Sequence, residues 1–115
     1  MHTSTIKIDV QLDKDKVPKN ISWSASDSTA DNFQDAKAMM VSFWDGAEKS
    51  ALRVDLWTNE MMVDEMADFY YQAFMGMAES YDRATHDEIL VNDIRTFAKS
   101  FYQKFKELQM KENKI

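Results

Sequence analysis

The chain holds no cysteine, one proline, two glycines and two histidines in 115 residues. Without thiols it can form neither disulfides nor thiolate metal sites, and a cysteine nucleophile is excluded; a reducing compartment fits this composition. Neither Gly46 nor Gly76 lies in a loop of the kind that cradles phosphate. No run of about 18 apolar residues is present, so no segment is expected to cross a bilayer. The opening Met1-His2-Thr3-Ser4-Thr5-Ile6-Lys7 lacks the apolar stretch of a signal peptide. Twenty acidic residues outnumber 14 basic ones, for a net charge of −6, which disfavours attraction to nucleic-acid phosphates and anionic lipid. Nucleic acid and membrane insertion are therefore not expected, and a cytoplasmic location is.

What is present is enough for one small domain: 44% of the residues are hydrophobic. From Thr5 to Leu12, Ile6, Ile8, Val10 and Leu12 alternate with polar residues, the period of a half-buried strand. A polar connection, Asp13 to Lys19, carries the proline, and Ile21 and Trp23 then resume the alternation as a second strand. Asp31 to Lys37 reads as a short helix or turn. Met39, Val41 and Phe43 share one face of a third strand, and Leu52, Val54 and Leu56 share one face of a fourth, with a hairpin loop over residues 45–50.

After Trp57 the apolar period lengthens to that of a helix, through Met62, Met66, Phe69, Tyr70, Ala73, Phe74, Met77 and Tyr81. A second helix is expected to open at Thr85, with Glu88 completing a capping box, and to present Leu90, Ile94, Phe97, Ala98, Phe101, Phe105 and Leu108. The predicted fold is α+β and a single domain over residues 1–115: a four-stranded antiparallel meander (about 5–57) followed by two long C-terminal helices (about 62–110) packed on one face. Residues 112–115 are expected to fray.

Chemistry-bearing patterns are sparse. His2 lies in a terminal tail and His86 in a helix start, with no convergent partners for catalysis or metal binding. Asp27, Asp31 and Asp35 read as a solvated face. Asp13-Lys14-Asp15 resembles the opening of a calcium loop, but Pro18 and Ser24 stand where an EF-hand needs glycine and a bidentate glutamate. The aromatics and lysines near Phe101 and Phe105 are explained by helical spacing without nucleic-acid stacking. No cofactor is expected, and the chain is read as a non-enzyme.

Alternation leaves Met40, Trp44 and Trp57 on the strand face opposite Val41, Phe43, Leu52, Val54 and Leu56, among Lys7, Asp9, Arg53 and Asp55. Large apolar residues ringed by charge suit a surface for a protein partner or for self-association as a homodimer. The competing reading is that Trp44 and Trp57 pair across the hairpin and merely stabilise it.

Several segments resemble the GldC family of gliding-motility proteins. They are Ile6-Lys7-Ile8-Asp9-Val10 with Leu12-Asp13 and Val17-Pro18, Trp23-Ser24-Ala25, Ala36-Lys37-Ala38-Met39, Trp44-Asp45, Leu52-Arg53-Val54-Asp55-Leu56-Trp57-Thr58, Val63-Asp64-Glu65-Met66 and Met77-Ala78-Glu79-Ser80-Tyr81. They span roughly residues 5 to 105 in one register. Met62 stands where the family usually has proline, and the chain beyond about Leu108 falls outside the likeness. The resemblance implies a cytoplasmic accessory component of the gliding apparatus and supplies no catalytic residue. A small chaperone or stabiliser for an envelope or secretion component, or an enzyme of unknown type, are the alternatives.

Overall fold

A computed structural model describes residues 1–112. The chain is α+β and divides into two compact units, Met1–Met61 and a second beginning at Met62. The first unit contains β1 (Ile6–Leu12), β2 (Pro18–Ala25), β3 (Gln34–Ala36), β4 (Ala38–Asp45) and β5 (Ser50–Trp57); the second contains α1 (Val63–Thr85) and α2 (Glu88–Glu112). The fraying expected of residues 112–115 lies, beyond Glu112, outside the described residues.

The expected four-stranded meander is corrected to five strands in two antiparallel sheets, β1-β2-β3 and β4-β5. The extra strand is Gln34–Ala36, in the stretch expected to form a helix or turn. Its three residues carry no apolar alternation; pairing supplies the strand, because Ile21 lies opposite Ala36 and Trp23 opposite Gln34. The chain then breaks at Lys37 and continues as β4 with a new partner, β5. Thr58 fastens this corner: its N–H and hydroxyl both donate to the Lys37 carbonyl, at 2.8 and 3.0 Å. Thr58 is 3% exposed, so satisfying its hydroxyl avoids the cost of a buried unpaired polar group.

In the first sheet the alternation does what the sequence requires. Ile6, Ile8 and Val10 stand opposite Ala25, Trp23 and Ile21, so one face is apolar. Lys7, Asp9 and Gln11 stand opposite Ser24, Ser22 and Asn20, so the other is polar. Ile21, 1% exposed, is the best-buried large side chain of this unit.

The second unit is an antiparallel helical hairpin whose apolar stripes meet. Ala67 and Ala78 of α1 and Val91 and Ala98 of α2 are the buried positions, small side chains that let the backbones approach. Around them Phe74 packs edge-on against Phe97 and Phe101 at 5.3 and 5.4 Å, and Tyr71 stacks on Tyr102 at 4.7 Å. Phe97, on the apolar stripe of α2, is 57% exposed although its ring lies beside those of Phe74 and Phe101. The Asp68 carboxylate accepts the Tyr102 hydroxyl, which holds that phenol above its ordinary pKa.

The helix junction also differs from the expectation. Thr85 ends α1 and does not open α2; its hydroxyl donates back to the Tyr81 carbonyl at 2.8 Å. His86 turns left-handed at φ 56°, and its N–H bonds the Asp82 carbonyl at 2.8 Å. Asp87 is the N-cap of α2, accepting the Leu90 N–H at 3.2 Å. At the start of α1, Glu65 reaches back to the Met62 N–H at 3.2 Å, so one half of a capping box forms without a serine or threonine.

Candidate functional site

The β4–β5 hairpin carries every residue proposed for a contact surface. Its register sets Ala38 opposite Trp57, Met40 opposite Asp55, Ser42 opposite Arg53 and Trp44 opposite Ala51. Cross-strand partners share a face, so Met40, Trp44, Arg53, Asp55 and Trp57 lie together on one side of the ribbon. The two indoles are not a cross-strand pair. They stand at opposite ends of that face, roughly 20 Å apart at about 3.4 Å per residue along the strand. Each sits over an alanine, so the reading of Trp44 and Trp57 as a stabilising ladder fails on register.

Trp44 is 70% and Trp57 55% exposed. Between them Arg53 grips Asp55 two residues along the same strand, Nε to Oδ2 at 3.1 Å and Nη2 to Oδ1 at 3.0 Å. This exposed pair is worth little to the fold. Its consequence is electrostatic: at the middle of the face one positive and one negative charge offset each other between the indoles.

Phe43, Leu52 and Val54 are exposed, and Met39, Val41 and Leu56 are half-buried. A cleft of about 250 Å³ runs between Val17 and Pro18, at the start of β2, and Asp55, Leu56, Trp57, Thr58 and Asn59. The Asn59 N–H reaches the Pro18 carbonyl at 3.3 Å and draws the two segments together. Val17 and Pro18 were not read as site residues in the sequence because their neighbours Lys14, Asp15, Lys16 and Lys19 are polar.

The chemistry-bearing residues gather into no reactive arrangement in the described residues. His2 Nε2 lies 2.8 Å from Asp27 Oδ2, and the Ser4 hydroxyl donates to the same oxygen at 2.7 Å. The carboxylate stands between imidazole and hydroxyl, whereas activating a serine requires the imidazole next to the hydroxyl. The Ser4 bond first, and then the His2 bond, hold the Asp27 carboxyl below its ordinary pKa. His86 serves the helix junction. Among the described residues no group of three or more histidines, aspartates and glutamates is placed to share a metal ion, and no helix is long and apolar enough to cross a membrane.

A comparison with curated proteins finds no match, and neither does one with solved structures. The family model described as "Gliding motility-associated protein GldC-like" matches residues 18–107, from the start of β2 into the last turns of α2. That stretch includes the whole β4–β5 hairpin and both helices of the junction, and it makes this chain a member of the GldC-like family of gliding motility-associated proteins.

Proposed function

We propose that the chain is a cytoplasmic, non-enzymatic accessory component of the gliding-motility machinery that acts through protein contacts. The contact surface is the β4–β5 face bearing Met40, Trp44 and Trp57, with Arg53 and Asp55 between the indoles. The observation that carries the reading is the exposure of both indoles on one face around a charge-neutralised pair. An acidic chain gains little from wetting two tryptophans, whereas rigid aromatic anchors beside satisfied polar groups are what interface centres use. Family membership supplies the link to gliding.

Affinity purification of the full chain from a gliding cell tests this. The native chain is expected to retain a component of the gliding apparatus. The double substitution Trp44→Ser, Trp57→Ser is expected to lose it at matched folded concentration, with far-UV circular dichroism unchanged. Retention by the double variant would remove this face as the contact surface, and retention of proteins unrelated to motility would remove the assignment to gliding.

A further inference from the structure

We propose that α2 is the seam of a symmetric homodimer, in which α2 of a second copy packs antiparallel along its exposed apolar line and the two helical hairpins close into a four-helix bundle. The seam lies in the second unit and goes beyond the partner reading of the β4–β5 face. Three observations on α2 converge on a second copy as the occupant.

The first is an apolar line that the hairpin does not cover. Val91 and Ala98 are buried in the hairpin. Beside them Leu90, Ile94, Phe97, Phe101 and Leu108 recur at spacings of three, four and seven, which sets them on one line of the helix. Leu90, Phe97 and Leu108 are exposed, and Ile94 and Phe101 are half-buried. The line extends across α1: Tyr70, also exposed, meets Phe74 edge-on, and Phe74 meets Phe97 and Phe101. From Leu90 to Leu108 it runs roughly 27 Å at about 1.5 Å per residue. A contiguous apolar face of this kind marks an interface, whereas scattered exposed side chains do not.

The second observation is that the order of residues along the line is self-complementary. Antiparallel packing about a two-fold axis level with residue 99 sets Leu90 opposite Leu108 of the second copy and Phe97 opposite its Phe101. One axis satisfies both pairs, and symmetry repeats each of them. Between these layers Ile94 falls opposite Lys104 of the second copy, whose methylene stem can cover it while the ammonium turns outward.

The third is charge. Asp93 and Lys104 stand on the outer border of the line, and among the described residues neither has an ion pair within the chain. In the register set by the apolar pairs, Asp93 of one copy lies within one residue of the level of Lys104 of the other, on the same side of the seam, and the pairing occurs twice. Glu107, the nearest other carboxylate on that border, is turned along its own helix, where it accepts the Gln103 amide at 3.4 Å. A partner chosen for apolar character alone would need neither the palindromic order nor the matched charges; a second copy supplies both.

The test exploits the absence of native cysteine. Facing helices pack about 8–10 Å apart with Cα atoms about 2.3 Å from each axis, so facing Cα atoms stand roughly 5 Å apart, a separation that a disulfide accepts. Leu90→Cys and Leu108→Cys, mixed in equal amounts under mild oxidation, are expected to form a covalent dimer at least about tenfold faster than either variant alone, because identical thiols lie at opposite ends of the seam. Sedimentation of the full native chain is expected to show a reversible dimer. Asp93→Lys opposes like charges twice by symmetry and is expected to weaken that dimer on the order of tenfold. The exchanged pair Asp93→Lys with Lys104→Asp is expected to restore it. The Trp44→Ser, Trp57→Ser variant is expected to dimerise as the native chain does. A mixture that cross-links no faster than its components, or failure of the charge exchange to rescue association, would overturn the seam. So would a native chain that stays monomeric at millimolar concentration, the result if this face is met within the chain, or a dimer lost on removing the two indoles. Far-UV dichroism of every variant distinguishes loss of association from loss of fold.

Discussion

Two hairpins of the first unit turn in similar ways and treat their faces differently. β1 and β2 are joined by a loop in which Asp13 Oδ1 accepts the N–H groups of Asp15 and Val17, at 2.8 and 3.0 Å, with Lys16 left-handed at φ 63°. β4 and β5 are joined by one in which Asp45 Oδ1 accepts those of Ala47 and Glu48, at 2.9 and 3.2 Å, with Lys49 left-handed at φ 54°. An aspartate satisfies the loop in each case, as short polar side chains do in tight turns. The faces diverge. β1–β2 keeps its apolar side chains on one face, where Ile21 is buried while Ile6 and Ile8 are exposed, whereas β4–β5 exposes apolar side chains on both faces. A ribbon with two apolar faces is a weak element in isolation, so the contrast separates a region organised for folding from one available for binding.

All three tryptophans, Trp23, Trp44 and Trp57, belong to the first unit, so indole fluorescence follows its unfolding while far-UV dichroism is dominated by the helices. The largest expected effect is Ile21→Ala, which removes the best-buried side chain of the first sheet and should cost about 2–5 kcal/mol in urea unfolding read by fluorescence. Leu52→Ala, on an exposed position of β5, should cost well under about 1 kcal/mol in the same experiment. Equal losses at the two sites would erase the distinction between the hairpins.

Thr58→Val sharpens the comparison at the corner where β3 gives way to β4. It keeps the N–H bond to the Lys37 carbonyl and deletes the hydroxyl bond, so a loss of about 1 kcal/mol is expected. A neutral result would show that the hydroxyl does not fasten the junction between the two sheets.

The smallest effect is a pH response at the open end of β1. The bonds from Ser4 and His2 depress the Asp27 carboxyl in the folded chain, so its contribution is present above the unfolded carboxylate pKa and is lost as pH falls through the folded value. Asp27→Asn should therefore narrow the stability gap to the native chain on acidification from neutrality to below about pH 3, in unfolding series at fixed ionic strength. A gap that widens on acidification would contradict the bond pattern.

Much of this was legible in residues whose own pattern decides their structure. The alternation in Ile6–Leu12 and in Ala38–Trp57 determined which side chains share a face, and the structure keeps Met40, Trp44, Arg53, Asp55 and Trp57 together. The helical period after Met62 likewise identified two helices. What escaped was set by partners or by backbone. Gln34-Asp35-Ala36 becomes a strand only because β2 pairs with it. Thr85 looked like an N-cap by residue type, but the left-handed turn at His86 moves the cap to Asp87. The exposure of Phe43, Leu52 and Val54 could not be read from alternation, which separates two faces without stating what covers either.

The claim that the β4–β5 face meets a protein partner is tested most directly by site-specific photocross-linking in the native cell. A photoreactive phenylalanine analogue replaces either Trp44, on that face, or Lys7, on the polar face of β1 opposite Ser24. The account predicts an adduct with a component of the gliding apparatus from position 44 and none from position 7. Adducts from position 7 alone, or from neither position, would contradict it.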